Sequence, residues 1–204
     1  MKVKKAPMPL FQKIIYFASA IFMFVAFIYL GTKDYNVSVQ HLSDQESFTQ
    51  EFGITSDNIY DYKTADEILE IMNTGTGVIF FAFPENTWSH TYAALLNDVA
   101  KYYGMNEIFY YNFLNDRSMN NSYYENIVKK LNAYVPVLDN GTRDIYAPTM
   151  IMVKNGEIIA YDDETSILHG DTSVDDYWTH DKQESKKVEL GVYFERLLED
   201  KNEA

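Results

Sequence analysis

Residues 77–89 read GVIFFAFPENTWS. The first seven form a continuous apolar run, which is typical of a strand buried on both faces of a sheet. Pro84-Glu85-Asn86 breaks the run, and apolar residues then recur at helical spacing: Trp88, Tyr92, Leu95, Val99 and Tyr103. We therefore predict a buried central strand that leads through a short loop into a long helix, from about Thr87 to Tyr103.

A second informative stretch, residues 145–157, reads IYAPTMIMVKNGE. Thr149 to Val153 has the composition of a strand. The Asn155-Gly156 pair is a strong signal for a two-residue hairpin turn, so Glu157 to Tyr161 is expected to return as an antiparallel strand. This part of the chain therefore predicts a β-hairpin that begins directly after Ala147-Pro148.

The remaining elements follow from helix capping and apolar periodicity. They are a short helix near 44–52, a strand at 59–62, a helix after Thr64 that ends near Gly75, a strand at 108–113, a helix near 121–133, and a last helix near 185–199 with its stripe at Val188, Val192, Phe194, Leu197 and Leu198. Residues 135–143 and 165–181 are expected to be irregular. This order predicts an α/β fold with a mixed central sheet and helices on both faces.

The element order and the two stretches resemble the thioredoxin family over about residues 60–160 and the last helix. Asn86 and Ser89 stand where that family has its Cys-x-x-Cys pair, and Pro148 stands at its cis-proline. More narrowly, the chain resembles the membrane-anchored thioredoxin-like proteins of Gram-positive bacteria, including the bacteriocin transport accessory proteins. The resemblance implies a thioredoxin-like fold, a cis Ala147–Pro148 bond, and a binding groove made of Asn86, Thr87, Trp88, Ser89, Ala147, Pro148 and Thr149.

The chain contains no cysteine. A disulfide, a thiolate nucleophile and a cysteine metal site are therefore excluded. The family often has a buried acid at the position of Phe80, so the proton handling that accompanies redox chemistry is missing as well. We expect a redox-inactive, non-catalytic module with no cofactor and no metal. Its expected partner is an extended peptide or a membrane-associated protein, such as a transporter, which implies a secretion or transport accessory role.

Some alternatives stay open. A divergent enzyme would use Asn86, Ser89 or His90, although adjacent helix residues point in different directions and the sequence places no acid to orient His90. A helix-capping role explains Asn86 as well as a functional role does. A core position explains Trp88 as well as an exposed hydrophobic contact does. The acidic segment 162–181 is rich in oxygen ligands but lacks a twelve-residue calcium-loop pattern, so we expect a solvated loop there.

Residues 14–30, IIYFASAIFMFVAFIYL, carry no charge and are long enough to cross a bilayer. A cleaved signal peptide is the rival interpretation, but the small-x-small site at 18–20 lies inside the apolar run. Lysines concentrate before this run, so the positive-inside rule places the N-terminus in the cytoplasm and the domain outside the cell membrane. The predicted organisation is a basic cytoplasmic tail at 1–13, a transmembrane anchor at 14–30, a linker with a short helix at 31–58, and a domain at 59–204.

The charge balance narrows the class of partner. The chain has 17 basic and 30 acidic residues, a net charge of −13, and no acidic residue precedes Asp34. An acidic domain repels phosphate backbones, so we do not expect nucleic-acid binding.

Overall fold

A mixed five-stranded sheet forms the centre of the computed structural model, which describes residues 9, 11–12, 19, 42–165 and 172–199. The strands are β1 (Tyr60–Tyr62), β2 (Gly77–Ala82), β3 (Ile108–Asn112), β4 (Thr149–Lys154) and β5 (Glu157–Asp163), in the spatial order β1-β3-β2-β4-β5. Strands β1, β3 and β2 run parallel, while β4 pairs antiparallel with β2 and β5 antiparallel with β4. The predicted α/β class and mixed sheet are confirmed.

Strand β2 is the central strand, and all six of its residues are buried. Its side chains alternate between two hydrophobic clusters, because successive residues of a strand point to opposite faces. Val78, Phe80 and Ala82 belong to one cluster, whereas Ile79 and Phe81 belong to the other. The continuous apolar run therefore forms a strand that is buried on both faces, as predicted.

Helices cover both faces of this sheet. On the first face lie α1 (Asp44–Phe52), α3 (Thr87–Tyr102), α6 (Val174–Tyr177) and α7 (His180–Leu198). On the second face lie α2 (Ala65–Thr74), α4 (Leu114–Ser118) and α5 (Ser122–Lys130). Two of these, α4 and α6, fall where the sequence analysis predicts no helix, because each spans only one turn or slightly more and leaves little periodicity to detect.

The β4–β5 hairpin forms as predicted. Asn155 and Gly156 both have positive φ angles, 51° and 77°, which is the geometry that this residue pair favours in a two-residue turn. A Cβ atom at position 156 would also collide with the carbonyl oxygen of Asn73, so the turn packs closely against the end of α2.

Helix α1 contributes to the core of the domain. Phe48 and Phe52 are buried, and the Phe48 ring stacks on Tyr60 with a centroid separation of 3.7 Å. The chain divides into two compact units, residues 1–41 and 42–204, and α1 lies in the second. The sequence analysis instead groups this helix with the linker, since a two-residue apolar pattern does not reveal what it packs against.

Helix α7 begins five residues earlier than predicted, and its buried face is different. The buried residues are Lys186, Leu190, Gly191, Phe194 and Leu197. Val188, Val192 and Leu198, which the sequence analysis places on the apolar stripe, are 72%, 42% and 50% exposed. The prediction was wrong at these positions because the buried face of α7 begins with a charged residue, Lys186, and its apolar pattern is therefore hard to recognise.

Among the described residues, no helix has the length and apolar character that a membrane crossing requires. The predicted anchor at 14–30 lies outside the described residues except for Ser19, and the predicted basic tail lies outside them except for positions 9, 11 and 12.

Candidate functional site

A cleft of about 370 Å³ lies at the carboxyl end of β2, where the chain turns through Pro84 into α3. Its lining residues come from four parts of the chain, near residues 83–88, 117, 146–147 and 165–172: Phe83, Asn86, Trp88, Arg117, Tyr146, Ala147, Thr165 and Thr172. The ends of strands in an α/β sheet commonly carry the ligand site. The structure thus brings the two predicted motifs, around Asn86 and around Ala147, to one cleft.

The seven predicted groove residues are not equally accessible. Asn86 and Trp88 are half-buried and line the cleft, as does Ala147 although it is only 4% exposed, and Thr87 is exposed. Ser89, Pro148 and Thr149 are buried, with Ser89 and Thr149 fully shielded from solvent. The last three therefore support the walls of the cleft and do not offer it a surface.

Asn86 joins the two motifs through its side chain. Its Oδ1 atom accepts a hydrogen bond from the Ser89 N–H at 3.2 Å, so it caps the N-terminus of α3. Its Nδ2 atom donates to the carbonyl oxygen of Ala147 at 3.0 Å. The capping role was foreseen as one of two explanations, whereas the bond to Ala147 needs the folded chain.

The segment before β4 has its carbonyl groups already engaged. The Ala147–Pro148 peptide bond is cis, as predicted. The Ala147 carbonyl accepts from Asn86 and from the Thr165 hydroxyl at 3.1 Å, and the Tyr146 carbonyl accepts from the Thr149 hydroxyl at 2.8 Å. A carbonyl oxygen has two lone pairs, so Ala147 has none left for an incoming strand. Backbone pairing along this segment therefore has fewer free acceptors than the resemblance implies.

Trp88 is half-buried. The sequence left open whether it is a core residue or an exposed contact, and the structure gives it part of each role. One side of its ring packs edge-on against Tyr177 with a centroid separation of 5.2 Å, and the residue borders the first hydrophobic cluster. The residue also lines the cleft. It is thus anchored in position and still presents an aromatic surface.

Ser89 and His90 do not form a nucleophile and base pair. The Ser89 hydroxyl is fully buried and donates to Asn86 Oδ1 at 3.3 Å. His90 Nε2 donates to the Pro84 carbonyl at 2.8 Å, and its ring lies 5.4 Å from that of Phe52. Neither residue is among those that line the cleft.

The chain matches no known protein-family model, and no curated protein sequence matches it.

A buried ionic cluster near the cleft was missed by the sequence analysis. Lys186 is only 2% exposed, and its Nζ atom contacts Asp162, Glu164 and Glu189. Tyr92 donates to Asp162 at 2.6 Å. Burial raises the pKa of Asp162, against the opposing effect of the Lys186 charge. Burial alone would lower the pKa of Lys186, but the surrounding carboxylates outweigh it and raise the pKa above its usual value.

The expectation of a solvated loop at 162–181 was wrong for its first residues, because Asp162 and Glu164 are buried against α7. The carboxylates of Asp162, Glu164 and Glu189 lie close enough together to hold a cation, and the Lys186 ammonium group lies among them. A signal for this lysine does exist in the sequence, since Lys186 precedes Leu190 by four residues and Phe194 by eight, on one helix face.

A second groove, of about 460 Å³, lies between α3 and α7. Its lining includes the apolar or aromatic residues Val99, Tyr102 and Val188 and acidic residues such as Asp98 and Glu195. It is larger than the cleft at the end of β2, but it contains none of the residues that the two sequence motifs select.

Proposed function

We propose that this protein is a cysteine-free, thioredoxin-like domain that binds an extended peptide segment of another protein. The observation that carries the proposal is the cleft at the end of β2, which Trp88 lines with an aromatic surface together with Tyr146 and Ala147. The strand order, the mixed sheet and the cis bond before β4 support the thioredoxin-like assignment. Aromatic side chains in a concave site are the usual anchors of peptide and protein partners.

The absence of cysteine supports binding without thiol–disulfide turnover, because neither a dithiol nor a mixed disulfide can form in the cleft. The alternative, an enzyme that uses Asn86, Ser89 or His90, has less support. Ser89 is shielded from solvent, and His90 is held by the Pro84 carbonyl away from the residues that line the cleft. A general base must reach the proton that it abstracts, and this histidine faces a carbonyl instead.

The second part of the proposal concerns location. The apolar segment at 14–30 and the lysines before it favour a single membrane anchor with the domain outside the cytoplasm. Tethering raises the local concentration of any partner at the same membrane, which suits a weak groove and an accessory role beside a transporter. A reporter enzyme that needs export should be active when fused after Ala204, and a cytoplasmic reporter at that site should be inactive. The reverse pattern contradicts this topology.

Peptide binding can be tested with the full-length chain in detergent micelles. We expect random peptides displayed on phage to be enriched on the wild-type chain, and the selected peptides to bind at least about tenfold more weakly to Trp88→Ala, because one buried aromatic anchor typically contributes that much. Tyr102→Ala is the matched control, since Tyr102 is 85% exposed and lies in the other groove. The proposal is contradicted if both variants lose peptide affinity equally, or if no peptide is enriched on the wild-type chain.

A further inference from the structure

Arg117 is the one charged side chain among the described residues that line the cleft. It lies on α4, a helix that the sequence analysis did not predict, and it is half-buried. The other lining residues are aromatic, apolar or uncharged polar residues. The described lining of the cleft therefore carries one positive charge and no negative one, although the chain as a whole carries a net charge of −13.

The guanidinium group is held in place by aromatic rings. It lies 5.3 Å from the ring centroid of Phe83 and 5.2 Å from that of Phe113. Its Nη1 atom donates to the Ile145 carbonyl at 3.4 Å, which is long for a hydrogen bond. Stacking on these rings orients the planar group and leaves most of its five N–H donors available.

Within 42–165 and 172–199, no carboxylate lies at ion-pair distance from Arg117. Its neighbour Asp116 is engaged elsewhere, because its carboxylate accepts hydrogen bonds from Tyr111 and Asn121. Carboxylates are abundant in this chain, and lysines such as Lys186 and Lys187 do pair with them. Arg117 is thus fixed in the cleft without a carboxylate partner among the described residues, so its N–H donors can bind a carboxylate of another molecule.

We propose that Arg117 makes the cleft select peptides that carry a carboxylate, with the guanidinium group binding that carboxylate through paired N–H donors. This inference rests on the proposed peptide-binding function and names the chemical class that the cleft prefers. Arginine matches carboxylate geometry with two parallel hydrogen bonds, and charge-assisted bonds of this kind are the stronger ones. Trp88, which lines the same cleft, would contact another residue of the same peptide.

The two tryptophans of this chain provide a direct readout. Full-length protein labelled with 5-fluorotryptophan gives one fluorine resonance from Trp88, in the cleft, and one from buried Trp178, and a Trp88→Phe variant assigns them. Three nine-residue peptides of one sequence are titrated. The first has an internal Glu and blocked ends, the second has Gln at that position, and the third is the Gln peptide with a free C-terminal carboxylate.

We expect the Glu peptide to shift the Trp88 resonance with a dissociation constant at least about tenfold below that of the blocked Gln peptide, because a charge-assisted hydrogen bond contributes about that factor. If the third peptide, and not the Glu peptide, binds more tightly than the blocked Gln peptide, the cleft prefers the carboxylate of a chain terminus. Arg117→Met, which keeps an apolar stem on the rings, should abolish the preference, and Arg117→Lys should retain part of it. Circular dichroism checks that each variant is folded.

Arg143→Met is the matched control, since Arg143 is also half-buried and donates to a backbone carbonyl, that of Val135, but does not line the cleft. It should leave the preference unchanged. Equal binding of all three peptides, or a preference that survives in Arg117→Met, overturns the inference while peptide binding stands. If none of the peptides moves the Trp88 resonance, the peptide-binding function fails and the inference fails with it.

Discussion

Asn86 links the start of α3 to the segment before β4, so a change at this residue should affect both. Asn86→Ala removes the helix cap and one of the two donors to the Ala147 carbonyl. We expect a loss of about 2 kcal/mol in the free energy of unfolding, measured by urea denaturation. Asn86→Ser keeps a capping oxygen but is too short to reach Ala147, so its loss should be about half as large.

Thr179→Ala is the control for this pair, because Thr179 caps α7 and is exposed. It should cost about 1 kcal/mol, the usual value of a cap alone. Equal stability of Asn86→Ser and the wild type would mean that the bond to Ala147 contributes nothing.

Lys186 is the residue on which the buried ionic cluster depends. Lys186→Met should cost about 3–5 kcal/mol at pH 7, since it leaves Asp162 and Glu164 buried without their cation. Lys187→Met is the matched control, because the neighbouring lysine forms only an exposed pair with Glu184. Its cost should stay below about 1 kcal/mol. Comparable losses in the two variants would contradict the role assigned to Lys186.

The pH dependence of the Lys186→Met variant has a definite sign. Burial raises the pKa of Asp162, and removal of the lysine removes the charge that opposes this shift. A carboxyl group with a raised pKa in the folded state favours folding as the pH falls through that pKa. The deficit of the variant relative to wild type should therefore shrink between pH 7 and pH 4 in urea denaturation. A deficit that does not change over this range would contradict the assignment.

A mutation in helix α1 can test where the folded domain begins. Phe48 is fully buried between Phe52 and Tyr60, with centroid separations of 4.2 and 3.7 Å. Phe48→Ala should cost about 3–5 kcal/mol, as for other large core side chains, measured by thermal or urea unfolding. Tyr102→Ala, at an 85% exposed aromatic residue, should change stability by less than about 0.5 kcal/mol. A loss below about 1 kcal/mol for Phe48→Ala would instead favour a domain that begins near residue 59.

The elements differ in how well the sequence predicts them. The spans of β2 and α3 and the β4–β5 turn were predicted within a residue or two, because their patterns are long or their turn chemistry is specific. The buried face of α7 was predicted wrongly, because Lys186 interrupts the apolar pattern that marks a core face. Helix α4 is too short for periodicity, and so the position of Arg117 in the cleft could not be predicted.

At the scale of the whole molecule, buried tyrosines make stability sensitive to alkaline pH. Burial raises the pKa of Tyr60 and Tyr92, and the pKa of Lys186 is raised as well. The unfolded chain loses these protons near pH 10, before the folded chain does. The stability that these groups contribute is therefore present below about pH 10 and lost as the pH rises further.

Urea denaturation midpoints should accordingly be level between pH 8 and 9 and fall steadily from pH 10 to pH 11. The share of the tyrosinate absorbance that comes from the buried rings should rise only together with unfolding, because these rings ionise when they become exposed. Midpoints that hold constant to pH 11 would contradict the burial of these rings as the cause of their raised pKa values.

The sequence alone determined whatever depends on composition or on neighbours a few residues apart. The lack of cysteine excludes disulfide chemistry, and the apolar run marks the central strand, whereas a cap at Asn86 was one of two explanations that the sequence left open. Only the tertiary structure decided which distant groups meet. The bond from Asn86 to Ala147 spans 61 residues, and the pair of Lys186 and Asp162 spans 24. Such contacts are set by how helices and strands pack in three dimensions, and local sequence patterns do not encode that geometry.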